Sequence, residues 1–317
     1  MAFPTPLSPA VPGTVSLFSQ RFLIQHRGRF GYINGAGQVV IEPRFESALE
    51  FREGLAPVRI NGNGGYIDLQ GQLVILPRFD WNWEFSEGLA AVKIGQKWGY
   101  IDQSGRTVIP PRFDAALGFS EGLAVVRLEG EEGYINRQGQ MVIAPQFASA
   151  SFFQEGLAAV AINGKIGYID QTGTVVIAPE FNDGWAFSEG LAVVRPDDQY
   201  GYIDYQGKMV IKPQFLTALP FREGLAAVRI RQKWGFINGE GEMIIEPTYQ
   251  LAASFHQGLA AVKLEGKWGY IDQNGEIIIE PKFDEAGSFT EALIAPVKFN
   301  KKQGYINETG TLIWQAD

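Results

Sequence analysis

Lys267-Trp268-Gly269-Tyr270-Ile271-Asp272, followed by Gly275, Ile278, Ile279, Pro281, Phe283 and Phe289, is the stretch from which the architecture can be read. Its glycine is one of nine that open a Gly-aromatic pair, at positions 31, 65, 99, 133, 167, 201, 235, 269 and 304. Seven of the eight intervals between them are 34 residues and the last is 35. Ile stands two places beyond each of these glycines and a second Gly six places beyond, while Pro stands twelve places beyond in eight copies. Farther on, Phe recurs from Phe51 to Phe289 at the same spacing, trailed in six copies by Glu-Gly-Leu-Ala. So strict a register marks an internal repeat, and a repeated unit mostly records what each copy needs in order to stack on the next.

A period near 34 also belongs to helical hairpin arrays, so composition within the unit has to decide. A helical hairpin needs two long stretches free of Gly and Pro. No repeat offers one; each instead supplies short runs rich in Val, Ile, Tyr and Phe bounded by turn residues, which is strand chemistry. In the copy at Leu89, residues 89–94 read as one strand, Gly95-Gln96 as a tight turn, 97–102 as a second strand and 106–109 as a third, ended by Pro111. Residues 113–119 cross to the next unit, with room for a short fourth strand. Asp102-Gln103-Ser104-Gly105, with Asp first and Gly fourth, suits a type I turn.

The chain therefore reads as all-β: nine tandem 34-residue antiparallel repeats over residues 17–317, preceded at 1–16 by a flexible Pro-rich leader. The first strand, Phe22-Leu23-Ile24, and the last, Leu312-Ile313-Trp314, are both apolar. Open solenoids need polar ends. Two apolar ends are best satisfied by burying each other, which favours a propeller-like closed toroid with adjacent termini. The alternative is an open superhelical β-solenoid, since nine units exceed the roughly 4–8 blades of most propellers.

The 317 residues carry a net charge of -8 and no cysteine. The charge gives no footprint for nucleic acid or an anionic membrane, and the lack of cysteine excludes disulfide and thiolate chemistry. No apolar run approaches a membrane span. A cytoplasmic protein is the expectation.

The pattern resembles the WG, or KWG, repeat family of bacterial tandem β-repeat proteins. The resemblance rests on Trp98-Gly99-Tyr100-Ile101-Asp102, Trp234-Gly235-Phe236-Ile237-Asn238 and Trp268-Gly269-Tyr270-Ile271-Asp272, with the Pro-x-Phe and Glu-Gly-Leu-Ala segments at matching offsets. Six copies carry another residue at the namesake Trp position, among them Gly64, Glu132 and Tyr200. The family implies a β-repeat scaffold and carries no catalytic residues to transfer.

The charged columns read as structural. The carboxylate before Gly-Leu-Ala, as in Glu53 and Glu121, becomes Gln257 in one copy, which keeps the acceptor and drops the charge; the expected role is to satisfy backbone N–H groups in a turn. Asp102, Asp170 and their equivalents alternate with Asn34, Asn136, Asn238 and Asn307, as an Asx-turn allows and a hard cation site does not. The basic column, Arg59 to Lys298, reads as an edge paired with glutamates or solvated. His26 and His256 lie in different repeats, His256 at a surface slot, and no nucleophile motif accompanies them. Asn61-Gly62-Asn63-Gly64-Gly65 lacks the Lys and helix of a phosphate loop and is a hairpin turn. No catalytic residue, metal or cofactor is expected.

Departures from the repeat are where function would be written. Trp81 and Trp83 stand in one crossing segment, and Trp185 takes the column of Trp83 in another, where Leu49, Leu117 and Leu219 stand elsewhere. They are the candidate partner-binding residues. The expected function is a non-catalytic scaffold for another protein; a glycan-binding module built on the same tryptophans is the alternative.

Overall fold

The computed structural model describes residues 20–316; the leader assigned to residues 1–16 lies outside them. Every regular element among the described residues is a β-strand. The strands form nine antiparallel sheets, each contributed by one repeat: eight of four strands and one, the first, of three. Blade one runs from Phe22–His26 to Val39–Phe45, blade two from Ser47–Ala48 to Leu73–Phe79, blade three from Trp81–Ser86 to Thr107–Phe113, and so on to blade nine, which ends at Leu312–Gln315. The fourth strand left open in the sequence is the first of each four-stranded sheet. It is two residues long in six blades and six residues in blades three and four.

Nine blades in line would have eight interfaces. The structure has nine. Each apolar cluster draws one half from each of two neighbours: Leu89, Ala91, Tyr100, Ile109 and Phe113 of blade three pack on Ala116, Phe119, Ala124, Val126 and Ile135 of blade four. The ninth cluster joins Phe22, Ile24 and Ile33 of blade one to Ala292, Ile294 and Tyr305 of blade nine, with Ile313 and Trp314 against it. The array is a closed nine-bladed β-propeller, and its two apolar ends bury each other.

The small residues of Leu-Ala-Ala-Val set how closely the blades stack. The second strand of a blade is buried on both faces: Leu89 and Ala91 enter the interface with blade four, while Ala90 and Val92 enter that with blade two. The glycine of the Gly-aromatic pair serves a close approach. A Cβ on Gly99 would lie 2.5 Å from the Ile109 carbonyl oxygen and 2.7 Å from the Pro111 nitrogen, because the outer strand bulges over it. The bulge also corrects the expectation that Pro111 ends the third strand. From Trp98↔Phe113 to Tyr100↔Ile109 the inner partner advances two residues and the outer one four, so the strand continues through Pro111 to Phe113. The proline sits where the ladder is already interrupted, and it blunts an outer edge.

The tyrosine beside that glycine is fully buried, and its hydroxyl ties the blade to the next. Tyr32, Tyr100 and Tyr168 donate to the carbonyls of Leu49, Leu117 and Trp185, each at 2.8 Å. Burial pushes these phenols well above their ordinary pKa. Phe236 fills the same buried position without a hydroxyl.

Candidate functional site

The axis of the ring is identified by what four successive blades share. One cavity of about 450 Å³ touches Arg52 of blade two, Trp83, Glu84 and Ser86 of blade three, Leu117 of blade four and Phe152 of blade five. The first strands are therefore the inner ones. Ser86, Ser120 and Ser188 reinforce this inner ring by donating their hydroxyls to the carbonyls of Phe119, Phe153 and Phe221 in the following blades, at 2.6–2.8 Å.

The lengthened inner strand of blade three carries the departures. Trp81 pairs across the sheet with Lys93, and Lys93 in turn with Trp98, so one row holds two indoles flanking a lysine stem. Trp83 stacks on Trp98 with ring centroids 6.4 Å apart and a 12° interplanar angle, and meets Trp81 edge-on at 6.0 Å. The Arg59 guanidinium of blade two lies 5.4 Å from the centre of Trp81. Asn82, between the two tryptophans, points inward and donates its amide to the Gly65 carbonyl at 2.9 Å. It fits because the neighbouring repeat has Gly64 in the column of the namesake Trp: a Cβ there would lie 2.0 Å from Asn82 Oδ1. The backbone of Trp83 is held from the same side by the Tyr66 hydroxyl at 2.7 Å.

Trp81 and Trp83 are 45% and 36% exposed, so large apolar rings are offered to solvent on an anchored strand. Trp185 is 42% exposed and stands three blades away, in blade six, apart from the other two. Trp98, Arg59, Leu117 and Phe152 complete the surface around Trp83 and had not been singled out as site residues. Their signal in the sequence was weak, because Trp98 reads as a repeat residue and the others are brought in by neighbouring blades.

The carboxylate column does satisfy backbone N–H groups, but those of the next blade. Glu53, Glu87, Glu121, Glu155, Glu189 and Glu223 accept from the N–H of Gly88, Gly122, Gly156, Gly190, Gly224 and Gly258 at 2.9–3.0 Å. Each glutamate holds a left-handed φ, 52° at Glu53, where Asn or Gly would be less strained; the longer side chain is what reaches across. Each Asp or Asn of the second turn accepts from two backbone N–H groups of its own turn, as Asp102 does from Ser104 and Arg106 at 3.0 Å. In the basic column Arg127 pairs with Glu132 and Lys298 with Glu285, at 2.5 and 3.0 Å, while Arg59 and Arg195 lie over Trp81 and Tyr200. His256 is exposed. Asn61 and Gly62, both at positive φ, make a hairpin turn. Among the described residues no group of three acids, histidines or cysteines is placed to hold a metal ion, and no helix is long and apolar enough to cross a membrane.

The fold is shared with solved structures at low identity. One described as a crystal structure of the eukaryotic initiation factor matches with a TM-score of 0.67 and 11% identity, over 94% of this chain and 96% of that one. A second, the dihydro-heme d1 dehydrogenase NirN in complex with DHE, matches with a TM-score of 0.50 and 11% identity, over 86% of this chain and 75% of that one. At such identity the likeness is one of fold alone. No match to a curated protein sequence was found. The sequence profile of the WG containing repeat, in contrast, matches eight times, at residues 30–63, 65–98, 98–131, 133–165, 166–198, 200–234, 234–268 and 268–302. The chain belongs to the WG-repeat family.

Proposed function

We propose that the protein is a non-catalytic scaffold that binds another protein through the inner face of blades three and four. The observation that carries this reading is the Trp81–Trp83–Trp98 cluster beside the axial cavity. It is a rigid, exposed aromatic anchor at the place where the repeat is broken, with Arg59 and Glu84 as polar neighbours, and aromatic residues with arginine dominate protein-binding hot spots. The glycan reading is weaker because Trp83 and Trp185 stand three blades apart and Trp81 meets Trp83 edge-on, so the tryptophans do not form one flat platform.

Affinity purification with chemical crosslinking from the native host, run beside a glycan array, tests the proposal. The expected outcome is a defined protein crosslinked to wild type and lost from a Trp81→Ala, Trp83→Ala variant whose melting temperature is kept. Glycan binding that disappears in a Trp83→Ala, Trp185→Ala variant would replace it with the carbohydrate reading.

A further inference from the structure

The hairpin turns between the second and third strands of the blades lie on one rim, and a side chain of the crossing segment caps several of them. Glu46 of blade two accepts from the N–H groups of Asn61 and Gly62 at 3.1 and 2.9 Å. Asp80 of blade three accepts from Gly95 at 2.6 Å, and Asp114 of blade four from Glu129 at 2.9 Å. An acid in this column also pairs with a lysine of the preceding blade: Asp114 with Lys97 at 2.5 Å and Asp284 with Lys267 at 2.6 Å. One carboxylate thus caps a turn and balances a cation.

Blade seven breaks this arrangement. Leu216 stands in the acid column and is 46% exposed. Its backbone keeps the usual place, the N–H on the Arg229 carbonyl at 2.9 Å, as that of Asp80 is on the Lys93 carbonyl at 3.0 Å. The uncapped turn begins at Arg231, held at φ 54°, with Arg229 and Lys233 on the strands either side of it. In blade eight the column holds Gln250, whose Oε1 takes the Gly266 N–H at 2.8 Å and brings no charge to Lys233. Among the described residues the side chains of Arg229, Arg231 and Lys233 have neither an ion pair nor a hydrogen bond. Two other blades lack the acid without leaving such a cluster. Blade five has Ala148, and its Lys165 bonds to Asn182; in blade six Asn182 itself caps a turn made of Asp197 and Asp198.

We propose that the blade-seven hairpin is a docking site for an acidic segment of a partner protein, whose carboxylates take the places left by the column acid. One carboxylate over Leu216 meets the Arg231 N–H, as Asp80 meets Gly95, and a second beside Gln250 meets Lys233, as Asp114 meets Lys97. Bonds of this kind, with one or both groups charged, are the strong ones. Leu216 and Leu251, 46% and 43% exposed, offer aliphatic surface to apolar residues between the acids. The local cations run against a net charge of -8, which makes complementarity to an acidic partner specific to this part of the rim. A segment about one blade wide fits better than an anionic membrane, because a flat surface would also meet Asp197, Asp198 and Glu265 at the turns on either side. The inference adds a second surface to the scaffold reading and does not rest on the tryptophan cluster.

The test is a labelled peptide, Gly-Leu-Asp-Glu-Leu-Asp-Gly, titrated to millimolar concentration onto the full chain by fluorescence anisotropy, beside its amide analogue Gly-Leu-Asn-Gln-Leu-Asn-Gly. Saturable binding of the acidic peptide is expected, about tenfold or more above that of the amide. An Arg231→Ala, Lys233→Ala variant should weaken it several-fold. Leu216→Asp should abolish it, because the restored acid caps the turn from within, and should keep or raise the melting temperature. Ala148→Asp adds the same charge in blade five and should leave binding unchanged, as should Trp81→Ala, Trp83→Ala, which separates failure here from failure of the tryptophan site. No binding, or binding indifferent to Leu216→Asp, overturns the proposal. So does binding to phosphatidylserine vesicles, lost in Leu216→Asp, by a chain that ignores the peptide, because the cations would then serve a membrane.

Discussion

The interface between blades three and four and the seam between blades nine and one are built from the same columns. Among the described residues the first buries ten apolar residues in one cluster and the second six. Among the described residues the difference lies on the axial side, where Ala116 and Phe119 of an inner strand contribute to the regular interface and the Tyr305 hydroxyl donates to the Leu23 carbonyl at the seam. Among the described residues, blade one meets blade nine through Phe22 and Ile24 of Phe22–His26 and Ile33 of Arg29–Ile33. The rim contact is altered at the seam: the turn glycine Gly105 faces the Ile75 side chain of the preceding blade, whereas Gly37 faces the backbone carbonyl of Ile313, next to Trp314 in the column of Ile75.

The comparison is broken most severely by changing the number of blades. Deletion of residues 99–132, one whole unit, must either shrink the ring or open it, and an open array exposes the apolar faces that now meet at the seam. The expected loss exceeds the ~2–5 kcal/mol of a single core truncation and shows in chemical denaturation as a lower midpoint. An unchanged midpoint would mean that the blades restack freely and that closure contributes little.

Next in size is a methyl group placed under the outer strand. In Gly99→Ala the new Cβ meets backbone, the Ile109 oxygen at 2.5 Å and the Pro111 nitrogen at 2.7 Å, and backbone cannot swing away. In Gly304→Ala it meets the Trp314 oxygen at 2.9 Å and the Leu312 Cδ1 at 3.0 Å, on the last strand of the chain, which can give. Overpacking costs of about 3 kcal/mol at Gly99 and ~1 kcal/mol at Gly304 are expected, read from denaturation midpoints. Equal losses would show that the last strand is held as firmly as an internal one.

These two glycines also show where sequence reading stops. Periodicity was enough for nine units, the short runs of Val, Ile, Tyr and Phe between Gly and Pro made them all-β, and the apolar ends pointed to closure. The reason for the glycine was hidden, because the strand that passes over it bulges by an amount no column records. The same holds for the glutamates. A column that repeats every 34 residues cannot say whether Glu53 serves its own turn or an identical turn one blade on, and the structure assigns it to Gly88. The tryptophans were legible as exceptions. That Trp83 stacks on Trp98 depends on cross-strand register within blade three, set by Lys93 and by the inward turn of Asn82 into the space over Gly64.

A smaller effect is expected from the tyrosine hydroxyls. Tyr100→Phe removes a bond to an inner-strand carbonyl, and Phe236 shows that the ring packs without it, so a loss of about 1 kcal/mol is expected. Tyr305→Phe removes the bond to Leu23 at the seam and should cost more than Tyr100→Phe. Parallel denaturation curves decide the order, and a smaller loss at Tyr305 would show that the seam is tied by its apolar cluster alone.

The smallest effect is one of pH, and it separates turns that carry Asp from those that carry Asn. The Ser104 hydroxyl, with the backbone N–H groups of Arg106 and Ser104 and the Arg106 side chain, holds the Asp102 carboxyl below the usual carboxylate range. Thr172, with the N–H groups of its turn, does the same for Asp170. A carboxyl whose pKa is lower in the folded chain than in the unfolded one releases its proton more readily when folded. Its contribution is present above the unfolded value of roughly 4 and is lost as the pH falls through the folded value. Asn keeps the acceptor oxygen and has no proton to take up; Asn136 makes the same two turn bonds to Gln138 and Gln140. An Asp102→Asn, Asp170→Asn variant should therefore match wild type in urea midpoint at pH 7 and fall less steeply than wild type below pH ~4. If both proteins lose stability in parallel on acidification, the two carboxylates are bystanders in the turns, and the acid sensitivity of the ring has to be sought in the glutamates that bridge the blades.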